Sequence, residues 1–191
     1  MTYCYRSTPH NILTGRDGWG GLAVDPGILA AKARGILFDI GHGGNAFDLT
    51  VAEAAIAQGF LPDTISTDLH SQVPWDASFV PGGGFRVGVD TGRHELVRVM
   101  AKLEACGMSR LASLAAVTTT PAKVLGLAGE IGTLAAGSCA DIVVLGNGGA
   151  GGDLHDHFGN RRAVSNEGLL EPLLTVRAGL LVGEPPPSAS L

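Results

Sequence analysis

Charge is scarce in this chain: Asp, Glu, Lys and Arg together make up 16% of its 191 residues, and aromatic residues only 5%. Low charge combined with 45% hydrophobic residues is the reverse of a disordered composition, and it fits a packed α/β protein. The formal net charge is −5, with no cluster of Lys and Arg to attract a phosphate backbone, so no nucleic acid is expected as a partner. Long apolar runs are also missing. Nothing approaches the roughly 18 uninterrupted apolar residues of a membrane span, and MTYCYRSTPHNIL at the start has no basic stretch leading into an apolar one. No membrane partner and a cytoplasmic location follow as expectations. The cysteines are Cys4, Cys106 and Cys139, an odd number without a CxxC pair, which speaks for a reducing compartment and against a disulfide framework. Cys4 and Cys106 read as small buried apolar residues.

Glycine is abundant, 29 residues in all, and it punctuates the chain. The first five residues read as the end of a strand. Asp25-Pro26 opens a short helix that Gly35 stops, because proline suits the first helical position, where no N–H partner is needed. Residues 36–42, ILFDIGH, form an apolar run of strand length ending in His42. Residues 49–58 carry Val51, Ala55 and Ile56 on one helical face, with Gly59 just beyond. Residues 64–70, TISTDLH, make a second strand ending in polar residues, so that two strands and the helix between them form a βαβ unit. Proline and glycine then interrupt every pattern from residue 71 to 92, which reads as one long loop. Helical character returns over residues 94–104 and 109–117, and Thr120-Pro121 reads as the cap and start of a last helix. Beyond residue 126 the period shortens to strands: DIVVL at 141–145 and a hairpin over residues 174–182, with the tail after residue 182 read as disordered.

Two stretches resemble one superfamily, the amidohydrolases, in its dihydroorotase-like and deacetylase-like metallohydrolase branch. The first is Phe38-Asp39-Ile40-Gly41-His42-Gly43 with Val51-Ala52-Glu53-Ala54-Ala55 and then PDTISTDLH at 62–70. The second comprises Pro121-Ala122, Leu125-Gly126-Leu127, Gly132-Thr133-Leu134, Gly137 and Ala140-Asp141-Ile142-Val143. The resemblance covers residues 1–70 and 95–182. It implies a (β/α)8 barrel followed by a small β-sandwich-like subdomain. A barrel unit takes about 31 residues, so the strand ends near Tyr3, His42 and Asp68 count as strands six, seven and eight. The expected division is a partial barrel domain at 1–126, a β subdomain at 127–182 and a tail at 183–191.

The resemblance further implies hydrolysis of a non-peptide amide C–N bond, N-acyl or cyclic, in a small molecule. The agent is water activated by one or two divalent metals, zinc being the usual ion. Asp68 stands where the family has an aspartate that ligates the metal and moves a proton from water to the leaving amine. An aspartate capping the turn after a strand is the plainer alternative. At the sixth strand the family pattern reads Thr-His-Cys-Tyr and this chain reads Thr2-Tyr3-Cys4-Tyr5, so Tyr3 occupies the place of a histidine ligand. A phenol, whose ordinary pKa is about 10, is a poor zinc ligand at neutral pH. The metal is therefore expected to bind weakly here or not at all, and the chain to have little activity alone. A non-catalytic binding or oligomerisation module, a remnant of a split gene, a complementing chain and a homo-oligomer stay open. His42 and His70 are candidate substrate contacts, against packing for the first and a loop position for the second. His155 and His157 form an HxH pair that reads as solvated loop. The runs PGGGF and GNGGAGG lack the spacing of a nucleotide-binding loop.

Overall fold

The computed structural model describes residues 1–7, 11–14, 23–43, 46–69, 77–79, 85–87, 95–148, 151–164 and 168–183. In chain order the elements are β1 (Leu13–Thr14), β2 (Ala23–Val24), α1 (Pro26–Ala33), α2 (Leu49–Ala57), β3 (Ala77–Phe79) and β4 (Phe85–Val87). They continue with α3 (Leu96–Ala105), α4 (Arg110–Val117), α5 (Thr119–Val124), β5 (Ile142–Asn147), β6 (Gly152–His155), β7 (Arg161–Val164), β8 (Leu170–Arg177) and β9 (Leu180–Val182). None of the described helices is long and apolar enough to cross a membrane.

The helices start where short polar side chains meet their orphan amides. Asp25 accepts from Gly27 N at 2.6 Å, Asp48 from Thr50 N at 2.8 Å and Val51 N at 3.3 Å, and Ser109 from Ala112 N at 3.2 Å. The start expected at Thr120-Pro121 is corrected: α5 begins at Thr119, and the Thr118 hydroxyl donates back to Leu114 O at 2.6 Å. Proline is tolerated there because the first turn of a helix needs no amide donors.

Residues 36–42 and 64–70 were expected as full strands, and this too is corrected. Residues 36–42 and the described residues 64–69 run as parallel extended segments joined by the bridge Asp39↔Thr64. Ile40 N donates to Thr64 O at 3.2 Å, His42 N to Ser66 O at 3.1 Å and Gly43 N to Thr67 O at 3.0 Å. On the other side Asp39 N donates to Met1 O at 2.8 Å and Cys4 N to Asp39 O at 3.2 Å, so the first residues form a third parallel segment. Regular strand geometry stops because Tyr3, Gly41, Gly43 and Asp68 have φ values of 60°, 52°, 51° and 51°. Positive φ turns each segment out of its ladder at the end that carries the polar residues.

Phe38 and Ile40 on the middle segment are fully buried against α2 and its neighbours, in a core with Cys4, Tyr5, Phe47, Leu49, Ala52, Phe60, Val99 and Leu103. Cys4 and Cys106 are buried there as expected. The Tyr5 hydroxyl reaches Phe60 O at 2.5 Å, and the Asp63 carboxylate bridges Lys32 Nζ at 2.7 Å and Phe38 N at 2.8 Å.

Two further corrections concern strands. The stretch 71–92, expected as one loop, contains the antiparallel pair β3–β4 with Ala77 opposite Val87 and Phe79 opposite Phe85. The HxH pair belongs to a hairpin, not to solvated loop: β6 and β7 pair antiparallel, His155 opposite Arg161, and His157 in the connecting turn is 2% exposed. The hairpin packs on α3, with Leu154 and Leu169 against Ala101, and Arg162 forms an ion pair with Glu53 of α2. The hairpin is thus fastened to α2 and α3. The remaining sheet, in the order β5-β8-β9, includes the expected 174–182 hairpin and has a bulge between Val144 and Leu145. The tail beyond residue 183 lies outside the described residues.

Candidate active site

Alternation along the middle segment sorts its side chains. Phe38, Ile40 and His42 share the packed face, each fully buried, while Asp39 turns to the other. There Asp39 accepts from three hydroxyls, those of Thr2 at 2.9 Å, Thr64 at 2.7 Å and Ser66 at 2.6 Å. Three hydroxyl donors fill most of the acceptor sites of this carboxylate, and it ties the three parallel segments together across their polar face. Thr64, Ser66 and Asp68 follow one another on that face at every second residue.

Asp68 lies at its end, half-buried. The Tyr3 hydroxyl donates to Asp68 Oδ2 at 3.0 Å. That bond, and the negative charge of the carboxylate behind it, push the Tyr3 phenol above its ordinary range. Tyr3 is therefore a neutral donor at physiological pH, and the bond it donates goes to Oδ2 of Asp68. Two glycines make room for the pair. A β-carbon on Gly41 would lie 2.8 Å from Cδ1 of the Tyr3 ring, and one on Gly43 would lie 2.7 Å from Asp68 Oδ2. Both glycines also hold left-handed backbone that other residues adopt only with strain.

His42, read from the sequence as a candidate substrate contact, is placed on the packed face. The ring is fully buried on the packed face, with Nε2 3.0 Å from Lys102 Nζ, Nδ1 3.1 Å from Gly43 O, and Phe47 stacked on it at 4.9 Å. The His157 ring meets it edge-on at 5.3 Å. His70 lies outside the described residues. The sequence reading missed Asp39, Lys102 and Asp156. Lys102 was open to detection, standing three residues after Val99 and four before Cys106 on the core side of α3.

The divalent metal that the resemblance implies would need about four ligands if it were zinc. Among the described residues no group of three His, Cys, Asp or Glu side chains converges, and Asp68 has a phenol on one oxygen. The described residues do not by themselves fit the metal.

Comparison with known proteins shows the family. A deacetylase of Brucella anthropi is 37% identical over 114 residues, covering 60% of this chain and 24% of that protein. A deacetylase of Agrobacterium fabrum is 39% identical over 111 residues, 58% of this chain and 23% of that protein. Among solved structures, an adenine deaminase superposes with a TM-score of 0.74 at 25% identity, covering 96% of this chain and 44% of that one. A dihydroorotase superposes at 0.67 with 29% identity, covering 95% and 43%. The chain thus spans about a quarter of the deacetylases and under half of the solved chains. The expected deacetylase-like and dihydroorotase-like resemblance is borne out. The model of the Amidohydrolase family matches residues 46–167, a stretch that contains Asp68, α2 to α5 and the β6–β7 hairpin, and the chain belongs to that family.

Proposed function

We propose that this chain is the closing portion of an amidohydrolase barrel, strands six to eight by the spacing of Tyr3, His42 and Asp68, and that Asp68 is its reactive carboxylate. The reaction is hydrolysis of a non-peptide amide C–N bond, N-acyl or cyclic, in a small molecule. The observation that carries this reading is the seat of Asp68. It ends the segment that begins at Thr64, within the stretch that matches the family, and Gly43 beside it has no β-carbon to crowd it while Gly41 leaves room for the Tyr3 ring that bonds it. There Oδ1 takes a proton from the attacking water and returns it to the leaving amine, while Tyr3 holds Oδ2 in place. His70, two residues beyond, is proposed as a substrate contact.

The family is generally metal-dependent, and zinc would supply the activated water. Since the described residues do not assemble a ligand set, the chain alone is proposed to have little or no turnover. The remaining ligands are proposed to come from outside the described residues, a complementing chain or a homo-oligomer being two sources. One observation favours a second reading, a non-catalytic binding or oligomerisation module: Val143, Val144, Leu180, Leu181 and Val182 leave the β5-β8-β9 sheet with exposed apolar surface.

Metal analysis of the purified chain, with hydrolysis of N-acetyl amino acids and dihydroorotate, separates the two. Zinc and turnover that Asp68→Asn abolishes support the enzyme reading and overturn the expectation of inactivity. Turnover unaffected by Asp68→Asn removes Asp68 from the reaction. Neither metal nor turnover, even after mixing with the N-terminal part of a related deacetylase, leaves the module.

A further inference from the structure

We propose that Lys102 and His42 are positioning residues for the Asp68 site: the α3 ammonium holds the His42 ring, and the ring holds the turn at residues 41–43 on which Tyr3 and Asp68 rest. The proposal depends on Asp68 being the reactive carboxylate. It starts from Lys102, which is 2% exposed although a buried ammonium is costly unless well bonded. Lysine only donates, so at 3.0 Å from Lys102 Nζ the His42 Nε2 must be an acceptor. The ring proton then sits on Nδ1, which faces Gly43 O at 3.1 Å and donates to it. One lysine on α3 thereby selects the tautomer that clamps the Gly43 peptide. Phe47, stacked at an interplanar angle of 21°, and His157, edge-on at 68°, keep the ring from turning.

From the ring the constraint passes straight to the site. The amides of His42 and Gly43 donate to Ser66 O and Thr67 O, the two residues that precede Asp68. Gly43 lies so near Asp68 Oδ2, and Gly41 so near the Tyr3 ring, that a shift of the turn moves both side chains. Tyr3, Asp68 and the turn are thus one rigid group, set from behind by α3, which reaches the turn through Lys102 and the His42 ring.

Nuclear magnetic resonance on the isotope-labelled chain tests this without any turnover assay. Failure here is therefore separable from failure of the Asp68 assignment, which the Asp68→Asn kinetics decide. In the unmodified chain, long-range proton–nitrogen spectra should show His42 protonated on Nδ1; protonation on Nε2 alone overturns the proposal. In Lys102→Met, the Gly43 amide should exchange about tenfold faster through local opening, and the contact between the Tyr3 ring and the Gly41 α-protons should weaken. The α2 amides of Ala52 and Ala55 should keep their protection. An unchanged Gly43, or equal loss at Gly43 and in α2, shows a merely structural lysine and overturns it. Should Lys102→Met not fold, the double variant Lys102→Met/His42→Phe replaces it: no buried ammonium is left unpaired and nothing donates to Gly43 O, so the same selective loss at Gly43 is expected and its absence is refuting.

Discussion

Removing the Asp156 carboxylate should cost more stability than removing any surface charge of this protein, because one fully buried side chain there serves four donors. Its Oδ2 accepts from Leu49 N at 2.9 Å and Asn160 Nδ2 at 2.8 Å, and its Oδ1 from Phe158 N at 2.8 Å and Asn160 N at 2.9 Å. The carboxylate therefore joins the β6–β7 turn to the first turn of α2, beside the Asp48 cap. In Asp156→Ala the Leu49 amide stays buried without its acceptor, while the other three donors are only partly buried and regain some water. At about 1.5–3 kcal/mol for a hydrogen bond to a charged group, discounted for that recovery, the loss comes to about 4 kcal/mol. Against the 5–15 kcal/mol or so of a whole domain this is a large fraction. Urea unfolding followed by circular dichroism should show the midpoint falling by about 2 M for a slope near 2 kcal/mol/M. Asp48→Ala, which removes a helix cap, should cost about 1 kcal/mol. Asp153→Ala, which removes an exposed ion pair with Arg161 at 3.2 Å, should change stability by less than about 0.5 kcal/mol. A loss below about 1 kcal/mol for Asp156→Ala would mean that the hairpin is not fastened to α2 through this residue.

Three other outcomes follow from burial. Burial pushes the Cys4 and Cys106 thiols up to about 12, whereas Cys139 is exposed, so one thiol of three should react with a disulfide reagent in the native state and all three in urea; rapid labelling of a second would contradict the packing. Burial also raises the phenol of Tyr5, and the Asp68 bond raises that of Tyr3. Acids whose folded pKa is raised keep their protons where the unfolded chain has lost them, so they stabilise fully below the ordinary values and progressively less above. The melting temperature should hold steady up to about pH 8.5 and then fall through the ordinary thiol and phenol ranges, with the tyrosinate absorbance appearing late and together with unfolding; a phenolate midpoint near 10 in a folded chain would refute it. Gly43→Ala places a β-carbon 2.7 Å from Asp68 Oδ2 at a φ of 51°. It should cost about 1 kcal/mol of backbone strain, or roughly 2–4 °C of melting temperature, whereas an unchanged melting curve would show that the turn has room to spare.

Helix starts were the most legible part of the sequence, because a cap depends on residues within one turn of each other. Asp25-Pro26 and Asp48 with the LTVAEAAIA run announce α1 and α2 through local chemistry alone. The polar residues of the site were legible only through the family resemblance, which pointed to Asp68 and to the tyrosine in place of a histidine. What the resemblance could not tell is that these two bond to each other, since Tyr3 and Asp68 are far apart in the chain and meet only when three segments align. The β6–β7 hairpin was misread for a similar reason. Its strands are four residues each, and Asp156 is committed to an amide at residue 49, a partner no local window contains.

His42 shows where the reading could have gone further without any structure. Along FDIGH the period of a strand is two, so His42 shares its face with Phe38 and Ile40, and two large apolar side chains mark that face as the one turned to the helices. Asp39, between them, marks the other. A histidine on the apolar side needs a donor or acceptor from a packed helix, and α3 carries one cation on its core face, Lys102. The polar face, by the same parity, takes Asp39 and the glycines, and there the hydroxyls of Thr2, Thr64 and Ser66 meet the Asp39 carboxylate. The one short segment is accordingly held from both sides: hydroxyl donors on its polar face, and a buried lysine–histidine pair behind.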